Sequence, residues 1–264
     1  MPSQVIVNAD DFGLSAHTNA VILHAFQAGL ISSATAMANM PAFAAACALA
    51  QQPALKGCIG LHFNLTYGRP LSQAIRQQPR FCAPNGEFDL RLKQRTLRLS
   101  RAERDAVEQE LQAQWQHCLN QGLMPSHLDS HQHVHNIWPI GVIVARFAAR
   151  EGVAVRLARN LGHNIGPLKR VYKTLLNRRL KQLAGATADY VCTPADLRAG
   201  LAPADGLLEV VAHPSALGGY DFGDAYLGSG ESLKALVELS LAGVPRVGYG
   251  AVGQGRQTLD APIS

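Results

Sequence analysis

The 264-residue chain carries 24 Lys and Arg against 19 Asp and Glu, a formal net charge of +5, with 47% hydrophobic and 16% charged residues. That balance describes a folded globular protein with room for one large domain or two small ones. No apolar run reaches the roughly 18 residues of a membrane span, and residues 1–8 (MPSQVIVN) lack the basic and apolar regions of a signal peptide, which predicts a cytoplasmic protein.

Residues 4–9 form a short apolar run that ends at Asp10 and Asp11 and reads as a buried first strand. Ser15 is placed to cap a helix whose apolar positions Val21, Ile22, Ala25 and Phe26 stop at Gly29. Residues 31–37 predict a second strand, Pro41 opens an Ala-rich helix to Ala50, and residues 57–63 predict a third strand with His62 near its end. From 64 to 99 periodicity dissolves into Gly, Pro, Arg and Gln, which predicts an inserted functional loop or lid. Ser100 and Glu103 form a capping-box pair, and Val107, Leu111, Trp115 and Leu119 predict a helix ending at Gly122.

Residues 127–135 (HLDSHQHVH) end the fourth strand and place His127, Asp129, His131, His133 and His135 at alternate positions. Alternate residues of an extended chain share a face, so all five could look into one cavity. A strand rises roughly 3.3 Å per residue, so one ion would take one or two of them and leave the others to supporting or substrate roles. A helix is expected at 138–150, a strand at 153–158, a basic helix at 168–183, strands at 189–193 and 208–213, a helix at 231–242 and a last strand at 244–249. Residues 250–264 have no apolar repeat and read as a loosely ordered tail.

Strands and helices alternate without a composition shift that marks a boundary. The expected fold is α/β: one domain over residues 1–264, a TIM-barrel-like (β/α) barrel with irregularities, with a doubly wound open sheet as the alternative. No G-x-G-x-x-G follows the first strand and no G-x-x-x-x-G-K-[ST] occurs, so neither a dinucleotide site nor a P-loop is expected. Cys47, Cys58, Cys82, Cys118 and Cys192 are odd in number and never in a C-x-x-C pair, which argues against a disulfide framework or a cysteine zinc site. The densest basic group, Lys169, Arg170, Lys173, Arg178, Arg179 and Lys181, reads as a solvated helix face, and no nucleic-acid partner is expected.

Asp10, Asp11, His62, the tract from His127 and His213 all fall at C-terminal strand ends, the face that carries the active site of a (β/α) barrel. Neighbouring side chains leave an extended backbone on opposite sides, so Asp10 and Asp11 are expected to divide two tasks, one binding metal and the other reaching a water. Arg156 on the fifth strand could keep Asp10 ionised, and Asp129 could fix a histidine tautomer.

Residues 8–14 (NADDFGL), 60–66 (GLHFNLT) and 127–135 (HLDSHQHVH), in this order and with Ala212, His213 and Pro214 further on, resemble the YdjC-like carbohydrate deacetylases, the family of chitooligosaccharide deacetylase, with hopanoid-associated relatives. The resemblance implies a metal-dependent hydrolase that removes N-acetyl groups from amino sugars or a glycolipid head group. It assigns Asp11, His62 and His131 to one divalent ion, magnesium in that family, although two histidines also suit zinc or another transition ion. Asp10 matches the catalytic base and His213, more loosely, the general acid. His127, His133, Asp129 and Arg156 are left to substrate contacts or support, and a homodimer is suggested by the family alone. The competing readings are a barrel metallohydrolase of another bond, an amidohydrolase or phosphoesterase, and a non-catalytic sugar- or metal-binding protein.

Overall fold

The computed structural model describes residues 1–218 and 221–252. Its centre is strand β1 (Gln4–Phe12), buried along nearly its whole length, as a strand inside a parallel sheet must be. Around it run α1 (Ala16–Gln27), β2 (Ser33–Ala36), α2 (Phe43–Ala50), β3 (Ile59–Phe63), α3 (Gln73–Arg76), α4 (Arg101–Asn120), β4 (His127–Ser130), α5 (Trp138–Glu151), β5 (Ala154–Val155), α6 (Pro167–Ala184), β6 (Tyr190–Cys192), α7 (Pro194–Arg198), β7 (Leu207–Ala212), β8 (Pro214–Gly218), β9 (Asp221–Asp224) and α8 (Leu233–Ser240). The main sheet has seven parallel strands in the order β5-β4-β3-β2-β1-β7-β6 and curls into a half-barrel, an irregular form of the expected (β/α) barrel. The expected last strand at 244–249 is reduced to one bridge, between Arg246 and Val5.

The two-residue period of the strands sorts the chain into two layers. Val5, Val7 and Ala9 of β1, Ile59, Leu61 and Phe63 of β3, and Leu128 and Val155 belong to the large hydrophobic core beneath the helices. The residues between them face inside the curl. At one level these are Ile6 and Ala154, packed on Tyr249. At the next are polar groups that no helix could cover without cost: Asn8, Asp10, Thr35, His62, Asp129, Arg156 and Glu209, all buried. The register His62↔Asp129 sets two of these side by side.

Local signals hold the helices in place. Ser100 and Glu103 form the reciprocal capping box of α4, whose Val107, Leu111 and Trp115 are buried. Gly152 ends α5 with φ 69°, a left-handed conformation that glycine adopts without a Cβ penalty. The connection from 64 to 99 contains α3 and is anchored to α4 by Glu110, which accepts from Leu71 N and Ser72 N at 2.9 and 2.6 Å. The antiparallel pair β8 and β9, for which the sequence offered no alternating pattern, follows directly on His213. Among the described residues no helix is long and apolar enough to cross a membrane. Of the tail expected from 250 onward, residues 253–264 lie outside the described residues.

Candidate active site

Asp10 and Asp11 end β1, and the expectation that they point to opposite sides is corrected by the backbone. Asp11 takes φ 69° and the β1–β2 register shifts between Ala9 and Phe12. This bulge turns both carboxylates toward one ring: His62 Nε2 lies 3.3 Å from Asp11 Oδ1 and 4.0 Å from Asp10 Oδ2. A left-handed aspartate is uncommon and costs backbone strain, of the kind held where a site requires it.

The histidine tract is corrected in the same way. β4 stops at Ser130, and residues His131–Asn136 form a tight 3-10 turn with positive φ at Gln132 and His133. The five alternate side chains therefore do not share one face. His131 turns back onto Asp11, Nδ1 to Oδ1 2.8 Å. His133 lines the open cavity beside the site. His135 goes into the protein, its Nδ1 2.5 Å from Ser130 Oγ. His127 lies fully buried on the inner layer, 3.1 Å from Asn8 Oδ1 and stacked on the Tyr249 ring with centroids 3.7 Å apart. Gly60 makes that position possible, because a Cβ there would sit 2.5 Å from His127 Nδ1.

A buried guanidinium ties the inner layer together. Arg156 donates to both oxygens of Asp10, at 2.9 and 2.8 Å, lies 2.5 Å from Asp129 Oδ2, and donates to Glu209 Oε1 at 2.6 Å. Burial opposes ionisation of Asp10, but Arg156, His62 and His213 together outweigh it and the carboxyl is held below its usual range. Glu209 in turn accepts from Tyr249 Oη at 2.5 Å. Glu209, Tyr249, Thr35 and Asn8 were not among the expected site residues; a lone carboxylate in the apolar run Leu208, Glu209, Val210 was the available signal.

His62 is oriented for ligation. Its Nδ1 lies 2.7 Å from Asp129 Oδ1, and a carboxylate only accepts, so Nδ1 carries the proton. Thr35 Oγ1 donates to Asp129 Oδ2 at 3.0 Å and fixes that carboxylate. Nε2 is then left buried without a hydrogen-bond partner, facing Asp11. In the metal-free protein burial disfavours the charged ring, but Asp129 and Asp10 prevail and raise the His62 pKa to about 10.

Two groups of three potential ligands occur among the described residues: Asp11, His62 and His131, and Asp10, His62 and Asp129. The second already has its cation, because Arg156 pairs with both of its carboxylates. No Lys or Arg pairs with the first among the described residues, and it combines an imidazole nitrogen without a hydrogen-bond partner, a second imidazole and a carboxylate that His131 and His62 hold well below its usual pKa against burial. These residues fit a divalent metal ion.

On the far side of the two aspartates stands His213, its Nε2 3.8 Å from Asp10 Oδ2 and 3.9 Å from Asp11 Oδ2. Its backbone N–H donates to Asp224 of β9 at 2.6 Å, and its ring meets the Tyr226 ring edge-on at 5.2 Å. The β8–β9 pair thus closes one wall of the site. A cavity of about 660 Å³ opens over Arg156, His133 and Tyr226.

A family model described as YdjC-like protein matches residues 4–222, and so includes every residue named above as a candidate ligand or proton carrier. A carbohydrate deacetylase of Geobacillus stearothermophilus is 39% identical, over 76% of this chain and 83% of that one. A chitooligosaccharide deacetylase of Salmonella schwarzengrund is 34% identical, over 81% and 82%. The crystal structure of a proposed cellobiose-phosphate cleavage protein from Enterococcus faecalis superposes with a TM-score of 0.67 at 21% identity, over 94% of this chain and 98% of that one, a likeness of fold.

Proposed function

Because the chain belongs to the YdjC-like protein family, we propose that it is a carbohydrate deacetylase, a hydrolase that releases acetate from N-acetylated amino sugars with the help of one divalent metal ion. The observation that carries the reading is the buried, unpartnered His62 Nε2 facing Asp11 beside His131, with Asp10 and His213 next to it. A binding protein would need neither the proton acceptor nor the proton donor.

Asp11, His62 and His131 would hold the ion. When bound, it supplies Lewis acidity, lowering the pKa of a water and polarising the acetamide carbonyl. Magnesium is the ion suggested by the family resemblance, and two imidazoles equally suit zinc. Asp129, through Nδ1–H of His62, fixes the ring so that Nε2 points at the ligand position. Arg156 keeps Asp10 charged and immobile, and Asp10 accepts the proton of the attacking water. A C–O bond forms to the acetyl carbon and the C–N bond breaks. His213, steadied by Tyr226 and the Asp224 contact, delivers a proton to the departing amine nitrogen. His133 lines the cavity where the sugar would lie, whereas His127 supports Asn8 from behind.

Acetate release from di-N-acetylchitobiose tests this reading. Release that a chelator abolishes and an added divalent ion restores is the expected result. A protein with metal demonstrably bound that releases no acetate from this or any N-acetylated amino sugar would overturn it.

A further inference from the structure

Outside the site, the most unusual surface is the exposed side of α6. Its buried residues, Leu176, Asn177, Leu180 and Ala184, form one stripe against the rest of the protein. Leu168, Val171 and Leu175, spaced by three and four residues, form a second stripe on the opposite side and face solvent, Leu168 with 87% of its surface. A helix on a globular protein ordinarily presents charge there. Cations border this stripe instead: Lys169, Arg170 and Arg178 are exposed, and none of the three has a carboxylate in ion-pair range among the described residues. Residues 152–188 contain no Asp or Glu at all.

A second segment repeats the pattern across the cavity. Residues 90–102 also lack Asp and Glu, and Leu97 is exposed among Lys93, Arg95 and Arg98. Tyr172 of α6 reaches over to it, its Oη 3.4 Å from the Gln94 carbonyl. Gln94 and Arg95 line the cavity on one side, Leu168, Lys169 and Tyr172 on the other, and the same cavity leads to Arg156 and Tyr226. The mouth of the site is therefore bordered by exposed Leu168 of α6 on one side and, on the other, by the segment that carries exposed Leu97, each set among cations without a carboxylate partner among the described residues.

We propose that α6 and the 90–102 segment form a docking face for an anionic lipid bilayer, which presents the mouth of the site to the membrane surface. Apolar side chains flanked by Lys and Arg on an exposed helix are the chemistry of interfacial binding: the leucines enter the head-group boundary and the cations meet lipid phosphates. A second copy of the chain is a poor occupant, since two-fold pairing through α6 sets cations against cations. Nucleic acid would meet the cations but leave the leucines in water. The proposal does not depend on the deacetylase reading, because binding to a bilayer needs no turnover.

Co-sedimentation of the full chain with phosphatidylcholine vesicles, with and without one third phosphatidylglycerol, tests it. Binding is expected with the anionic lipid and little without, falling as salt rises. Arg170→Gln with Arg178→Gln should weaken partitioning by about fivefold per cation. Val171→Ser with Leu175→Ser should weaken it by roughly tenfold, with acetate release from soluble di-N-acetylchitobiose unchanged in both variants. Absent binding, equal binding to both vesicles, or binding that neither variant alters would overturn the proposal. Self-association or retention of nucleic acid that the Val171/Leu175 variant abolishes, without vesicle binding, would overturn it in favour of those partners.

Discussion

The inner layer of the sheet and the rim of the cavity above it carry opposite charge for different physical reasons. Inside the curl, Asp10, Asp129 and Glu209 crowd around a single buried guanidinium while Asp11 faces only histidines, so carboxylates outnumber the fixed positive charge there. At the rim, α6 and residues 90–102 hold cations without carboxylates. Buried carboxylates cannot stay uncompensated, whereas solvated cations can. The centre therefore suits the cation proposed for Asp11, His62 and His131, and the rim suits the anionic surface proposed for α6.

Removing the buried Arg156 guanidinium breaks the comparison most severely. Arg156→Leu leaves three buried carboxylates facing one another, and the expected loss of stability is about 3–5 kcal/mol by urea denaturation, with loss of activity. A variant as stable as the parent would show that the guanidinium is dispensable.

The proposed division of labour between the two aspartates is separable next. Asp10→Asn should retain metal and lower turnover roughly a hundred- to ten-thousand-fold, whereas His131→Ala should lose metal as well. Metal content measured on dialysed protein decides between them, and full turnover in the Asp10 variant would contradict its role as base.

Proton uptake gives a smaller and graded effect. Burial holds His127 and His135 neutral, with pKa values of about 3, and His133 at about 4. Unfolding frees each ring to take a proton below its ordinary pKa of about 6.5. Stability is thus full above pH 6.5 and falls as pH drops, by about 2 kcal/mol per ring at pH 5. His62 acts in the opposite sense: its raised pKa gives stability that is complete below about pH 6.5 and lost as pH climbs toward 10, so it adds no slope in the acid window. Urea midpoints of chelator-treated protein between pH 7 and 5 should decline, and less steeply in His127→Gln. A pH-independent midpoint would contradict the buried neutral rings.

The smallest effect lies away from both charged regions. Ser100→Ala removes the α4 cap and should cost about 1 kcal/mol without changing turnover.

The sequence made much of this legible. Asp10, Asp11, His62, His131 and His213 stand at or just beyond C-terminal strand ends, the face expected to carry the site, and the structure gathers them within a few ångströms. What it hid was backbone geometry. Nothing in residues 127–135 says that the strand stops at Ser130, since the polar alternation continues while the chain turns through positive φ at Gln132 and His133. The bulge at Asp11 is equally silent, because the strain is held by contacts from β3 and the turn after β4 and not by a glycine. Glu209 was concealed for another reason: its partners, Arg156 and Tyr249, come from distant parts of the chain.

The central claim is that Asp11, His62 and His131 hold the ion on which deacetylation depends while Asp10 acts beside it. Equilibrium dialysis against a divalent ion and acetate release, measured on the same preparations of the parent, His62→Ala and Asp10→Asn, test it directly. The account predicts one ion and turnover in the parent, neither in His62→Ala, and the ion without turnover in Asp10→Asn. Acetate release by His62→Ala at the parental rate, or by chelator-treated parent, would contradict it.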